Sequence, residues 1–108
     1  MITNLYRGMS SLELKLWEDN EKVIPPRVNF TRNSQEAIRL GQHHLFEGKL
    51  TILCVRYDDI LFHPIDAGLE DAQWFVSTKP INFEEVQATR ITQKEAKRQS
   101  SSHCYFYQ

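Results

Sequence analysis

Three short stretches hold the residues with the greatest chemical reach. The first is Tyr6-Arg7-Gly8. A guanidinium presents a rigid fork of donors that suits phosphate oxygens, and a glycine lets backbone approach a ligand or another chain segment closely. The second is Phe30-Thr31 with Asn33 and Ser34, which places hydroxyls at a strand-to-helix junction. The third is Gly68-Leu69-Glu70-Asp71-Ala72-Gln73-Trp74, an acidic loop entering an apolar strand. Each stretch also has a structural explanation. Arg7 could pair with a surface acid, Thr31 could serve as a cap, and Glu70 and Asp71 could form a solvated turn. Tyr6, Trp74 and Phe75 could belong to the core.

Local sequence signals say which elements would carry these residues. Thr3–Arg7 reads as a first strand. Ser10 with Glu13 has the spacing of a capping box and opens a helix in which Leu12, Leu16 and Trp17 form the core-facing stripe. Asn20 and Ile24-Pro25-Pro26 end it. Residues 28–31 form a brief strand. Asn33 with Glu36 opens a second helix through Ala37, Ile38, His43, His44 and Leu45, ended by Gly48. Leu50–Tyr57 is the strongest strand and reads as central. Residues 60–63 are extended, with Pro64 as a stop. Residues 72–77 form the next strand, Asn82 with Glu85 caps a short turn, and residues 86–91 form a last strand. Gln93–Gln99 is helical, and Ser100-Ser101-Ser102 breaks the order. Helices early and strands late indicate an α+β domain over residues 1–99, with a flexible tail over 100–108.

Taken together and in order, the three stretches resemble the arginine–serine–glutamate branch of the ADP-ribosyltransferase superfamily. Tyr6-Arg7-Gly8 is similar to its first-strand arginine motif. Phe30-Thr31, followed by Asn33, Ser34 and the Glu36-Ala37 helix start, resembles its aromatic–Ser/Thr motif. Glu70 to Val76, followed by Lys79-Pro80-Ile81 and Val86 to Ile91, resembles its third motif and closing strand. The resemblance spans roughly residues 3–91. It implies a split β-sheet core with two helices in the N-terminal half, NAD as cofactor and a macromolecular acceptor, protein or nucleic acid. Arg7, with Tyr6 and Gly8, would hold the cofactor, and Thr31 or Ser34 would position the nicotinamide ribose. A third-motif carboxylate would stabilise the cationic transition state as nicotinamide leaves. Family members this short include toxins and phage effectors.

The third motif departs from the family pattern. Asp71, Ala72 and Gln73 occupy the Gln/Glu–any–Glu positions, so Gln73 stands where the catalytic glutamate belongs. Its amide can bond a ribose hydroxyl but carries no charge. Three readings remain open: a natural non-catalytic relative, a Glu-to-Gln inactivated form, or a shifted alignment in which Glu70 or Asp71 acts. The alternative function is a non-catalytic protein-binding module of inhibitor or antitoxin type on the same fold. An RNA-directed member of the superfamily, such as the tRNA 2′-phosphotransferases, calls for more basic residues around the phosphate site.

Composition narrows the remaining classes. The chain has 108 residues, 41% of them hydrophobic, and a formal net charge of −1, which argues for one ordinary domain and against a basic surface made for nucleic acid. The basic end, Arg90, Lys94, Lys97 and Arg98, lacks interleaved aromatics and reads as a solvated face. Only two cysteines occur, Cys54 in an apolar run and Cys104 near the end, so no disulfide framework is expected, and a reducing, cytoplasmic setting is. Residues 1–6 do not read as a signal peptide, and no apolar run suits a membrane span. His43 and His44 would point about 100° apart on a helix, too divergent to chelate one metal together.

Overall fold

A computed structural model describes residues 2–43, 48–65 and 73–105. Among the described residues are eight strands and three helices: β1 (Asn4–Ser10), α1 (Ser11–Asp19), β2 (Val23–Ile24), β3 (Asn29–Thr31), α2 (Ser34–His43), β4 (Leu50–Arg56), β5 (Phe62–Pro64), β6 (Trp74–Ser77), β7 (Ile81–Asn82), β8 (Thr89–Ile91) and α3 (Gln93–Tyr105). A 3-10 turn at Phe83–Val86 joins β7 to β8. Six strands form one sheet in the order β5-β6-β3-β1-β4-β8, and β2 pairs with β7 in a small second sheet. All the pairings are antiparallel. The chain is thus an α+β domain, as the order of its sequence signals indicates.

Alternation along β1 and β4 divides the core into two layers, because successive strand residues face opposite sides of a sheet. On one face Leu5, Met9, Leu53, Val55, Phe30 and Phe75 pack with Leu14 and Trp17 of α1 and with Ile24, Ile81 and Val86 of the small sheet. Phe30 and Phe62 meet edge to face there, with centroids 5.4 Å apart. On the other face Tyr6, Ile52, Cys54 and Ile91 pack with Ala37 and Ile38 of α2 and Ala96 of α3. β4 is interior, flanked by β1 and β8, so its expected central place holds.

Two glycines set the distance between α2 and the sheet. A Cβ built on Gly8 would lie 1.9 Å from the Ala37 carbonyl oxygen, and one built on Gly41 would lie 2.9 Å from the Gly8 Cα. Backbone meets backbone at that crossing, and no side chain fits between. The segment that Gly8 approaches is therefore the protein's own helix.

The capping signals are seen in detail. Ser10 accepts from the Leu12 amide and Asn20 is the C-cap of α1. The Asn33 side chain accepts from the Gln35 and Glu36 amides. Asn82 and Glu85 form a reciprocal capping box.

Several boundaries and faces differ from expectation. α1 buries Leu14 and Trp17, whereas Leu12 and Leu16 are 47% and 68% exposed. The cause is the rotation set at the helix entry, where the Ser11 amide donates to the Lys49 carbonyl, together with the pull of burying the large Trp17. β5 ends at Pro64, as expected, and Pro64 itself is its last paired residue, opposite Phe75. An edge strand tolerates a residue without an N–H. The expected strand at residues 86–91 shortens to Thr89–Ile91, because the 3-10 turn ends in a left-handed Gln87, φ 49°. Ser100–Ser102 do not break α3, which continues to Tyr105.

Candidate functional site

The strand registers align side chains from the three sequence motifs. Tyr6 of β1 stands opposite Thr31 of β3, and Thr31 stands opposite Trp74 of β6. Partners in antiparallel register share a face, so Tyr6, Thr31 and Trp74 form a row across three strands on the side that carries α2. Tyr6↔Thr31 is the one bridge of the β1–β3 pair.

A cleft of about 510 Å³ opens along this row, between the sheet and α2. Tyr6, Arg7, Gly8, Asn29, Thr31 and Trp74 contribute its sheet side, and Glu36, Ala37, Arg39 and Leu40 its helical wall; Ile65, just past β5, closes the lining. The wall exists because Gly8 and Gly41 let α2 lie directly on β1. The lining mixes aromatic and aliphatic surface with a few charged groups, a composition typical of small-molecule sites, and its size falls in their usual range of about 300–1,000 Å³.

Arg7 is tightly held. One Nη donates to the Asn29 carbonyl at 3.1 Å and the other to Glu13 Oε1 at 3.1 Å, and the guanidinium carbon lies 5.8 Å from the centre of the Trp17 ring. Glu13 therefore secures the arginine, the surface-acid pairing open from sequence; Glu13 and Trp17 both belong to α1, so the guanidinium sits on the face of the sheet opposite α2, although Arg7 is among the residues that line the cleft. Its Nε is buried and has no hydrogen-bond partner. Arg39 on the opposite wall is held otherwise: its Nε and Nη2 donate to the Glu36 carboxylate at 2.8 and 2.9 Å. These hydrogen bonds hold the Glu36 carboxyl below its usual range and raise Arg39, with burial opposing both and mutual charge adding to both.

The other candidates take different places. Thr31 is fully buried, and its Oγ1 accepts from the Asn33 amide at 3.1 Å, the capping role open from sequence. Ser34 does not line the cleft. Its hydroxyl donates to the Ala96 carbonyl at 2.8 Å and ties α2 to α3. Gln73 is exposed, one residue ahead of Trp74, and its carbonyl accepts from the Arg32 amide at 3.1 Å. Glu70 and Asp71 lie outside the described residues. Tyr6 belongs to both core and cleft: its hydroxyl donates to Gln99 of α3, and burial foremost, then the neighbouring Cys54, raises its pKa. Trp74 is half-buried at the cleft while its neighbour Phe75 is core.

Sequence reasoning missed Arg39, Leu40, Ile65 and Asn29. A signal existed for the first two: Glu36, Arg39 and Leu40 are three and four apart, the spacing that shares a helix side. For Ile65 and Asn29 none did. Cys54 is buried, and burial raises its pKa to about 11, so its thiol is inert. No group of three or more His, Cys, Asp or Glu among the described residues could hold a metal. No helix among them is long and apolar enough to cross a membrane.

Comparison with protein-family models, curated proteins and solved structures finds no match.

Proposed function

We propose that the cleft binds NAD in the manner of an ADP-ribosyltransferase, and that Gln73 makes this chain a slow or non-catalytic version of such an enzyme. The observation that carries the reading is the row Tyr6–Thr31–Trp74, which gathers the three motifs of the resemblance at one cleft from strands far apart in sequence.

The lining suits the ligand's parts. The cation on the helical wall is Arg39, a guanidinium suited to phosphate oxygens, whereas the Arg7 guanidinium is held by Glu13 and Trp17 on the α1 side of the sheet. Tyr6 and Trp74 offer aromatic surface to a nicotinamide or adenine ring, and Leu40 and Ile65 add apolar contact. Among the described residues the one carboxylate of the lining, Glu36, is engaged by Arg39, and Gln73, exposed beside Trp74 and outside the lining, is neutral. Breaking the nicotinamide–ribose bond leaves positive charge on the sugar. Withdrawing one preorganised electrostatic group from such a centre costs about 10²–10³ in rate. The acceptor would be a macromolecule, protein or nucleic acid, met through the segment 66–72 ahead of Gln73.

Calorimetric titration with NAD, run on this chain and on Gln73→Glu with nicotinamide release followed in parallel, tests the proposal. Binding by both, with faster nicotinamide release from the glutamate form, is the expected outcome. Equal release rates would remove Gln73 from the catalytic position, and failure of both to bind millimolar NAD would end the cofactor reading.

A second reading, a protein-binding module, draws on α1, where Leu12 and Leu16 expose apolar surface one turn apart. Concentration-dependent association that Leu16→Glu abolishes, without any NAD binding, would favour it.

A further inference from the structure

The main sheet has a sparsely paired seam. β1 pairs with β4 along its whole length, from Asn4↔Arg56 to Ser10↔Leu50, and β3 pairs with β6 from Asn29↔Val76 to Thr31↔Trp74. Between β1 and β3 the register holds the single pair Tyr6↔Thr31. Continuing that antiparallel register would set Gly8 opposite Asn29, but the pairing stops short of it. The Asn29 carbonyl instead accepts from Arg7 Nη1 at 3.1 Å. A side chain of β1 thus makes the link that the ladder omits.

This guanidinium is aimed from the far side of the sheet. Leu5, Arg7 and Met9 alternate onto the face that α1 covers, where Leu5 and Met9 pack with Leu14 and Trp17. There Glu13 accepts from the other terminal nitrogen of Arg7 at 3.1 Å, and the guanidinium carbon lies 5.8 Å from the centre of the Trp17 ring. A planar fork can serve a carbonyl and a carboxylate at once in a fixed geometry.

The cleft lies across the same seam on the opposite face. Tyr6 and Gly8 line it from β1, and Asn29 and Thr31 from β3. Each side of the seam carries a further part of the lining. α2 rests on β1 where Gly8 meets Ala37. Trp74 pairs with β3, and the Ile65 amide donates to the Trp74 carbonyl at 3.0 Å. The spacing between Trp74 and the helical wall therefore depends on how β3 is held to β1.

We infer that Arg7 is a positioning residue for the cleft. Its guanidinium, held by Glu13 and Trp17, fixes β3 against β1 from behind and sets the width of the cleft without touching the ligand. This rests on the nucleotide reading of the cleft for its probes, and it gives the first-strand arginine a role other than anion binding. Glu13, outside the lining, then governs affinity through Arg7, and does so for charged and neutral ligands alike.

The test is calorimetric titration with adenosine and AMP of the unaltered chain, Arg7→Met, Glu13→Ala and Arg39→Ala, each well below its melting temperature, with amide exchange followed in parallel. In the unaltered chain AMP binds about tenfold tighter than adenosine, the worth of one charge-assisted contact with Arg39, and Arg39→Ala removes that difference. Arg7→Met and Glu13→Ala each weaken the two ligands by a common factor of about five to ten. Both keep the preference for AMP, and both speed exchange in β3 but not in β4. Loss of the AMP preference in Arg7→Met, with adenosine binding unchanged, would make Arg7 a phosphate ligand and overturn the inference. Unchanged affinities in Glu13→Ala would overturn it too, and that variant decides the matter should Arg7→Met fail to fold. If the unaltered chain binds neither probe, the nucleotide reading fails and β3 exchange alone decides: faster exchange in Glu13→Ala upholds the positioning of β3 by Arg7, and an unchanged rate overturns it.

Discussion

Gly8→Ala tests the contact on which the cleft's shape depends. The added methyl would begin 1.9 Å from the Ala37 carbonyl oxygen, 2.9 Å from the Ala37 carbonyl carbon and 3.1 Å from the Gly41 Cα. All three are backbone atoms, so no side chain can rotate away. Restoring ordinary separation of about 3.5 Å asks α2 and β1 to part by about 1.5 Å. That movement loosens Ala37 and Ile38 from Tyr6 and Ile52. Overpacking typically costs about 1–3 kcal/mol, and a clash with backbone belongs at the upper end, so the expected loss is about 3 kcal/mol. For a domain of this size that lowers Tm by about 12–24 °C. Gly41→Ala is the control. Its methyl would meet the movable Leu50 side chain at 2.5 Å and Gly8 backbone at 2.9 and 3.0 Å, and replacing a helix-interior glycine by alanine returns about 1 kcal/mol. Urea unfolding followed by circular dichroism should rank the unaltered chain above Gly41→Ala and Gly41→Ala above Gly8→Ala. A Gly8→Ala midpoint within about 0.5 kcal/mol of the unaltered chain would refute the close crossing, and with it the helical wall of the cleft.

Tyr6→Phe deletes the hydroxyl that donates to Gln99 and should cost about 1 kcal/mol in urea unfolding; no change would mean that α3 is not fastened there. Ser34→Ala leaves the Ala96 carbonyl without its hydroxyl donor from α2 and should cost about 1–2 kcal/mol, with faster amide exchange in α3 as the local signature; unaltered exchange would count against the tie. In a Cys104→Ser background, Cys54 should resist thiol reagents until the protein unfolds. At pH 9 about half of such thiols ionise in the unfolded chain, against about one in a hundred at a folded value of about 11. Because the folded value is raised, the contribution of Cys54 to stability is complete below pH 9 and lost as pH rises through 11. Rapid stoichiometric labelling of native protein at pH 8 would contradict its burial.

Local chemistry made much of the fold legible. Ser10, Asn33 and Asn82 mark their helix starts because a short polar side chain reaches the free amides of the first turn. The apolar run of β4 marks an interior strand. Non-local effects were not legible. Which stripe of α1 turns inward depends on where Lys49, just ahead of β4, holds its first turn, so Leu12 and Leu16 were misplaced and Leu14 overlooked. β2 is two residues long and follows two left-handed non-glycine residues, Glu21 and Lys22, so no turn residue announces it. Its stability comes from pairing with β7, remote in sequence.

The candidate site divides in the same way. Tyr6, Arg7, Gly8 and Thr31 stand out by type and order, and the strand registers bring Tyr6 and Thr31 together with Trp74. Ser34 shares the motif's spacing, but the α2–α3 contact claims its hydroxyl. Arg39 carried only its spacing from Glu36 as a signal, and the crossing at Gly8 and Gly41 shows which side of α2 faces the sheet.

The central claim is that the cleft between β1, β3, β6 and α2 receives NAD. Titration of isotope-labelled protein with NAD, read as backbone and indole amide shifts, tests it most directly. Shifts should concentrate at Tyr6, Gly8, Ala37, Leu40 and the Trp74 indole, and leave the α1 amides from Leu12 to Trp17 unmoved. A spectrum unchanged at millimolar NAD, or shifts confined to α1, would contradict the claim.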